Sequence, residues 1–330
     1  MTAIVAKASA NIALVKYWGK SDPATNLPAV DSLSLTLAGL DTITSVEPIR
    51  ASACSIQSGD IVYMGEAPMR DKDAARVRKF LQLFRDRFQD NTQFLVRTAN
   101  HFPTGAGLAS SASGFAALGT AIANYYGMQP QRDAAELINL VRQGSGSAPR
   151  SLYGGFVHLQ RDVAAGAITL RRLSTPLEAQ IAMLVVIVDD ARKPIGSREA
   201  MTATQASSPY WNDWLRVQAI HMEQMLPALV AGDLTQVGEI AEQNAQCMHA
   251  LCHTARPPIY YWTDKSVAAL RVVAGLRADG LPAWSTMDAG PQVKVITTRE
   301  AVERVRSGIE SAVAGVRTLV AYPGPGSFFA

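Results

Sequence analysis

Cysteine is scarce: the chain of 330 residues has three, Cys54, Cys247 and Cys252. Three thiols cannot staple a chain of this length, which excludes the disulfide-built secreted scaffolds. Charge is sparse as well. Charged residues make up 18%, and 31 Lys+Arg nearly balance 28 Asp+Glu, for a formal net charge of +3. No basic stripe stands out, so nothing points to a nucleic-acid partner. Long apolar runs are missing. The longest aliphatic-type run, 183–188, fits a buried strand and is far too short to span a bilayer. The N-terminal stretch is interrupted by Lys7, Asn11 and Lys16 and lacks the basic start and continuous apolar segment of a secretion signal. Internal repeats and low-complexity tracts are absent too. The expectation is a soluble, cytoplasmic protein without membrane or nucleic-acid partners.

What the chain does have is core-forming material. Hydrophobic residues reach 48%, too many for a disordered chain. The length exceeds what one core usually serves, which predicts two lobes or two domains. Strand patterns occur at the N-terminus, at 44–47, at 61–63 and at 93–98; 32–37 alternates strictly, as a half-buried strand does. Val77, Phe80, Leu81 and Phe84 form one apolar stripe of a helix over 70–87. Further helices are predicted from the small-residue loop to 126 and over 133–142, with a strand over 154–159. The second half reads as a buried strand at 181–188, long helices at 210–231 and 234–254, and a helix at 266–279. Strands at 284–287 and 293–297, a helix at 301–314 and a strand at 316–321 complete it. The class is α+β, divided into lobes 1–185 and 186–330.

Four segments invite chemistry. In 103–114, Gly105, Ala106, Gly107, Leu108 and Ala109 lead into Ser110 and Ser111 at a predicted helix start. Small residues let backbone N–H groups converge on an anion, and the helix dipole adds attraction. No Gly-Lys-Ser/Thr closes the stretch, so it is not a Walker loop; a plain linker or a tight helix start fits the composition equally. In 144–155, Ser145, Ser147 and Arg150 fall between apolar elements, and Arg suits bidentate carboxylate or phosphate recognition. Asp288 stands where a strand breaks into Ala289-Gly290-Pro291, either capping a turn or serving as a base at a sheet end. Lys16-Tyr17-Trp18-Gly19-Lys20 is either an amphipathic strand edge or a pair of phosphate donors beside an apolar wall. A fifth cluster, Cys247, His249, Cys252 and His253, lacks a second aligned ligand pair for zinc and reads as a packed helix with a partly exposed edge. No metal-binding residue is assigned.

Taken together, these segments resemble the diphosphomevalonate decarboxylase family of the GHMP kinase superfamily. The pieces that carry the likeness run from Ala10 to Lys20, then Asn26-Leu27-Pro28, the 32–37 strand, Asn100-His101-Phe102-Pro103-Thr104 with its Gly/Ser loop, the stretch 144–151, Ser197-Arg198-Glu199 and Met287-Asp288-Ala289-Gly290-Pro291. The resemblance implies a two-lobed GHMP fold with the active site between the lobes. It implies ATP-dependent decarboxylation of (R)-5-diphosphomevalonate to isopentenyl diphosphate, with ATP as co-substrate, magnesium beside the nucleotide, and a homodimer. Carried over residue by residue, Asp288 is the catalytic carboxylate that orients or deprotonates the 3-hydroxyl. Arg150 grips the C1 carboxylate, Asn11 positions that Arg, and Lys16 lies beside the reacting centre. Tyr17, Trp18, Lys20, Arg76, Ser147, Ser197 and Arg198 fall to the substrate, and Gly105, Ala106, Gly107, Leu108, Ala109, Ser110 and Ser111 to ATP.

Three positions depart from the family pattern: Gln292 for an expected Asn, His101 for an expected Asn, and Pro149 for a usual Cys or Ala. None removes a charged catalytic group. A phosphomevalonate decarboxylase, a mevalonate 3-kinase and a non-catalytic GHMP-fold ligand module are the competing functions. Asp288, Arg150 and Lys16 together favour decarboxylation among them.

Overall fold

The computed structural model describes residues 3–49, 59–102, 110–189 and 195–327. The chain begins with β1 (Ile4–Val15), the short pair β2 (Lys20–Asp22) and β3 (Leu27–Pro28), and the 17-residue β4 (Ser32–Pro48). Then come β5 (Ile61–Met64), β6 (Ala67–Pro68), α1 (Asp71–Phe88), β7 (Phe94–Asn100), α2 (Ser110–Tyr125) and α3 (Pro130–Gly144). A short 3-10 helix (Ala148–Leu152) precedes β8 (Phe156–Asp162) and β9 (Ala167–Leu173), and α4 (Leu177–Gln180) leads into β10 (Ile181–Ile187). The remainder is α5 (Ser197–Ser207), α6 (Trp211–Ala231), α7 (Leu234–Thr254), α8 (Asp264–Ala278), β11 (Trp284–Met287), β12 (Val293–Thr298), α9 (Val302–Ala312) and β13 (Arg317–Ala321).

β4 organises the first sheet. β1 pairs along one edge of it; β8 and β7 share the other, β8 against residues 32–35 and β7 against 42–48. The strand expected at 44–47 is therefore the far end of the same strand that starts at Ser32. What hides the continuity is a bulge: the register jumps from Ser9↔Asp41 to Asn11↔Thr36. Gly39 turns inside that bulge at φ +80°, a conformation glycine adopts without a Cβ clash. The C-terminal tail fills the gap, with Ala38 N donating to Tyr322 O and Gly324 N to Thr36 O, both at 2.8 Å. A Cβ on Gly324 would stand 2.3 Å from Ala38 N.

The second sheet is antiparallel, in the order β11-β12-β10-β13. β10 explains its own apolar run. Ile181, Met183, Val185 and Ile187 enter a core shared with Ile12, Leu14, Leu33 and Leu35 of the first sheet. Ala182, Leu184, Val186 and Val188 enter the core under α8 and α9. A strand covered on both faces has no use for alternation. β4 is covered on both faces too, against the half-buried expectation: its leucines join the shared core, and Ser32, Ser34 and Thr36 are buried on the other side.

The helices α1–α3 close one side of the first sheet around Phe80, Phe84, Phe94 and Phe115. The hairpin α6–α7 packs on β1 and β11, and Gly238 brings α7 against Trp284 so closely that a Cβ there would meet the indole at 2.2 Å. Local signals set its ends: Gly232 closes α6 at φ +72°, and Asp233 caps α7 by accepting from Gln236 N at 3.0 Å. β9 and α5 have no counterpart among the expected elements. No described helix is long and apolar enough to cross a membrane.

Candidate active site

Several elements meet at one cleft of about 990 Å³, among them the end of β1, the 3-10 helix, α1, the starts of α2 and α5, and the turn between β11 and β12. One of the groups lining it is the Asp288 carboxylate. The β11–β12 turn is closed by its backbone, with Gly290 N donating to Asp288 O at 2.8 Å, so the side chain is not needed as a cap. It turns instead to two lysines. Lys16 Nζ lies 2.8 Å from Oδ1 and Lys294 Nζ 3.3 Å from Oδ2. The Asp288 side chain keeps 24% of its surface exposed, whereas Lys294 has none and Lys16 2%.

The charges decide the protonation state. Burial favours the neutral acid at Asp288, yet the ammonium groups of Lys16 and Lys294 outweigh it and hold the carboxyl well below the usual range. Lys16 is itself pushed down, first by burial and partly by the like charges of Lys294 and Arg150; Asp288 opposes that shift. The result is a fixed anion flanked by two cations: a strong hydrogen-bond acceptor and a weak base at rest.

Arg150 stands on the 3-10 helix. Pro149 falls in its first turn, where a missing N–H costs little, and so seats the Arg rather than displacing it. Arg150 is 2% exposed and its guanidinium is held by neutral oxygens: Nε donates to Ser34 Oγ at 3.0 Å and to Asn11 Oδ1 at 3.3 Å, and a terminal nitrogen to Ser32 Oγ at 2.6 Å. Asn11 is fixed in turn, donating to Ser151 Oγ at 2.8 Å and Ser147 O at 3.2 Å. Burial lowers the Arg150 pKa to about 10, which leaves it charged at neutral pH.

A second cationic group surrounds Lys20, which donates to Asn26 Oδ1 at 2.8 Å. Its pKa is pushed down to about 8, by burial first and then by Arg198 and Arg76. Arg76 lies 5.2 Å above the Phe115 ring and donates to Gly144 O at 3.4 Å. Asn26, at φ +56°, accepts from Tyr17 Oη through its carbonyl at 3.0 Å and so joins the two groups. Ser147 and Ser197 line the same wall, beside exposed Arg198. Among the described residues, no carboxylate forms an ion pair with Arg150, Lys20, Arg76 or Arg198. Positive charge gathered without counter-ions is a receptor for a polyanion.

Asn11, Lys16, Tyr17, Trp18, Lys20, Arg76, Ser147, Arg150, Ser197, Arg198 and Asp288 all line the cleft, as do Ser110 and Ser111, exposed at the first turn of α2. Trp18 is buried, its Nε1 donating to Thr204 Oγ1 at 3.0 Å, so it forms the wall behind the cations. Gly105, Ala106, Gly107, Leu108 and Ala109 lie outside the described residues. His101 is exposed just before them. Gln292, in place of the expected Asn, has a clear partner: its Oε1 accepts from Val188 N at 2.7 Å and ties the turn to β10. His249 is buried beside Trp262 and His253 on α7; burial, then the Lys16 charge, lowers its pKa to about 3 and leaves it neutral.

Sequence reasoning missed several residues here. Lys294 lies in the strand expected at 293–297, where nothing local set it apart. Ser32 and Ser34 left a trace, since their alternation puts two hydroxyls on one face. Asn244 and Gln218 left none, yet they clamp the segment carrying Lys16. Asn244 Oδ1 accepts from Lys16 N at 2.8 Å, and Gln218 Nε2 donates to Lys16 O at 3.1 Å.

Such a cleft, with one oriented carboxylate among cations that lack counter-ions, belongs to an enzyme that handles a multiply charged anion. Comparison with known proteins supplies the rest. Residues 8–168 match the diphosphomevalonate decarboxylase-like N-terminal domain, and residues 183–322 the mevalonate 5-diphosphate decarboxylase C-terminal domain. The diphosphomevalonate decarboxylase of Candida albicans is 33% identical over 305 residues, 87% of this chain and 82% of that protein. The structure of mevalonate diphosphate decarboxylase from Staphylococcus aureus superimposes with a TM-score of 0.92 at 29% identity, covering 98% of this chain and 97% of that one. A structure described as MDDEF in complex with MVAPP, AMPPCP and magnesium gives a TM-score of 0.90 at 33% identity, covering 99% and 98%. The chain belongs to the diphosphomevalonate decarboxylase family, and its fold is the GHMP type.

Proposed function

We propose that this protein catalyses the ATP-dependent decarboxylation of (R)-5-diphosphomevalonate to isopentenyl diphosphate. The observation that carries the reading is the pairing of Asp288 with Lys16 beside a buried Arg150 that forms no ion pair with a carboxylate among the described residues. The 3-hydroxyl of the substrate is tertiary and leaves poorly. Its oxygen attacks the γ-phosphorus of ATP, the bond to the β-phosphate oxygen breaks, and ADP departs. Late in the transfer, when the hydroxyl has become strongly acidic, its proton passes to the Asp288 carboxylate as the new O–P bond forms. The C3–O bond then breaks with its electron pair leaving on phosphate. Positive charge develops at C3, the C1–C2 electron pair becomes the C2=C3 double bond, and C1 leaves as CO2.

Each group has a part in this scheme. Asp288, held anionic, accepts a hydrogen bond from the 3-hydroxyl and sets its line of attack. Little proton loss is needed early in a loose phosphoryl transfer, so a weak but fixed acceptor suffices. Arg150 grips the C1 carboxylate, and Asn11, Ser32 and Ser34 hold Arg150. Lys16 faces the transferred phosphoryl group. Lys20, Arg76, Arg198, Tyr17, Ser147 and Ser197 take the C5 diphosphate against the wall formed by Trp18. Ser110 and Ser111 begin α2, where free N–H groups and the helix dipole suit the ATP phosphates. Their hydroxyls are hard oxygen donors that fit magnesium, which with phosphate oxygens would neutralise charge on the transferred group. Gly105, Ala106, Gly107, Leu108 and Ala109 belong to the same ATP-binding stretch.

The reading includes lobes of 1–185 and 186–330, a homodimer and a cytoplasmic location. β10 crosses the lobe line and pairs with β12 and β13, which supports moving the boundary ahead of Ile181. Coupled ADP release measured with mevalonate, its 5-phosphate and its 5-diphosphate tests the substrate. Turnover with the 5-diphosphate is expected. Turnover confined to mevalonate would indicate a 3-kinase, and turnover confined to the 5-phosphate a phosphomevalonate decarboxylase.

A further inference from the structure

Lys294 occupies a position where the fold alone calls for an apolar side chain. It lies inside β12, between Val293 and Val295, with Val185 and Thr286 opposite it on the flanking strands. Ile296, two residues on and on the same face, enters the shared core. Lys294 has no exposed surface. Taking an ammonium group out of water costs several kcal/mol, and a well-packed apolar residue of similar volume is often as stable or more so. Its Nζ reaches past the end of β11 to the Asp288 Oδ2 at 3.3 Å and to Gln292 O at 3.4 Å. Asp288 Oδ1 is already taken by Lys16 at 2.8 Å. Lys16, next to the end of β1, hydrogen-bonds one carboxylate oxygen, and Lys294, on the second sheet, forms an ion pair with the other.

We propose that Lys294 is a positioning residue for the reaction: it pins Oδ2 of Asp288 and keeps the carboxylate ionised and in one orientation. The inference rests on the function proposed above. One lysine on one oxygen leaves a carboxylate free to swing about that contact and to take up a proton. A second lysine on the other oxygen fixes the plane, so the lone pairs facing the cleft keep one direction. The charged and titratable groups around Asp288 are Lys16 at the end of β1, Lys294 on β12, Arg150 on the 3-10 helix and His249 on α7. Three are cations and His249 is neutral, so the positive charge around Asp288 favours its ionised form.

The test compares wild type with Lys294→Met, Lys294→Gln and Lys294→Arg. Thermal denaturation establishes that each is folded; Lys294→Gln serves if Lys294→Met is not. Removing the charge should move the acidic limb of the kcat/KM profile up by about one pH unit or more. It should lower kcat roughly tenfold or more while KM for ATP changes less than twofold. Lys294→Arg should restore the wild-type limb. An independent readout is the titration of the Asp288 carboxyl by 13C NMR, assigned by its loss in Asp288→Asn, which should rise in Lys294→Met. This readout needs no turnover, so it stands even if the substrate assignment fails. A slower enzyme with an unmoved pH limb and an unmoved Asp288 titration would overturn the proposal and leave Lys294 a packing residue. Full activity in Lys294→Met would overturn it as well.

Discussion

Replacing Arg150 by Met should separate stability from function. The guanidinium is buried, but its partners are Ser32, Ser34 and Asn11, all neutral. Each hydrogen bond from a charged group contributes about 1.5–3 kcal/mol net. Set against this loss, the cation repels Lys16, and removing it relieves that repulsion. The side chain lines an open cleft, so water can reach the oxygens it vacates. Among the described residues no ion-paired carboxylate is left stranded, which is the usual reason that deleting a buried charge is destabilising. With water replacing part of the loss, the net cost should stay below about 5 kcal/mol, roughly ten degrees in Tm or less for a chain of this size. Binding is different, because the substrate carboxylate would lose its charged partner. Truncating one member of a buried charge pair costs about 2–5 kcal/mol. That is roughly 30- to 5,000-fold in kcat/KM. Differential scanning fluorimetry and steady-state kinetics on Arg150→Met read the two quantities. A collapse in Tm with kcat/KM within fivefold of wild type would show that Arg150 serves the fold and not the substrate.

Further outcomes follow from the same geometry. Asp288→Ala should keep ATP and substrate binding while turnover falls about 1,000-fold, the upper end of the range seen when a transition-state group is removed; turnover near wild type would remove Asp288 as the main carboxylate. Lys20 should make binding pH-dependent. Its pKa is depressed to about 8, so the charged form prevails below that pH and is lost above it. KM for the diphosphate substrate should therefore rise above about pH 8 in wild type and stay flat there in Lys20→Met, which a pH series of initial rates would check. Gly146→Ala should disturb the site without touching a charge, because its Cβ would stand 2.0 Å from the Tyr17 hydroxyl. A rise in substrate KM with little change in Tm is expected, and an unchanged KM would show that Tyr17 moves aside freely.

How far the sequence could be read depended on whether a residue's partner was local. The β10 run, the α6–α7 hairpin and the Asp288 turn were legible because pattern and turn chemistry act over a few residues. Lys16, Arg150 and Lys20 were legible because their neighbouring residues carry a family resemblance, and all line one cleft. β4 was read as pieces, since the bulge at Gly39 is filled by a tail almost 300 residues away in sequence. α5 was missed because its start had been read only as a binding motif. Lys294 was invisible for the opposite reason: a lysine in a strand normally faces water, and only the fold of β11 against β12 puts Asp288 at its tip. Asn244 and Gln218 likewise hold Lys16 across more than 200 residues of sequence.

The most direct test of the central claim is the stoichiometry of ADP and CO2 released from (R)-5-diphosphomevalonate carrying 14C at C1. An oriented Asp288 and an Arg150 free to grip the carboxylate predict one CO2 for each ADP. ADP formed without labelled CO2 would contradict it, leaving a kinase that stops at the 3-phosphate.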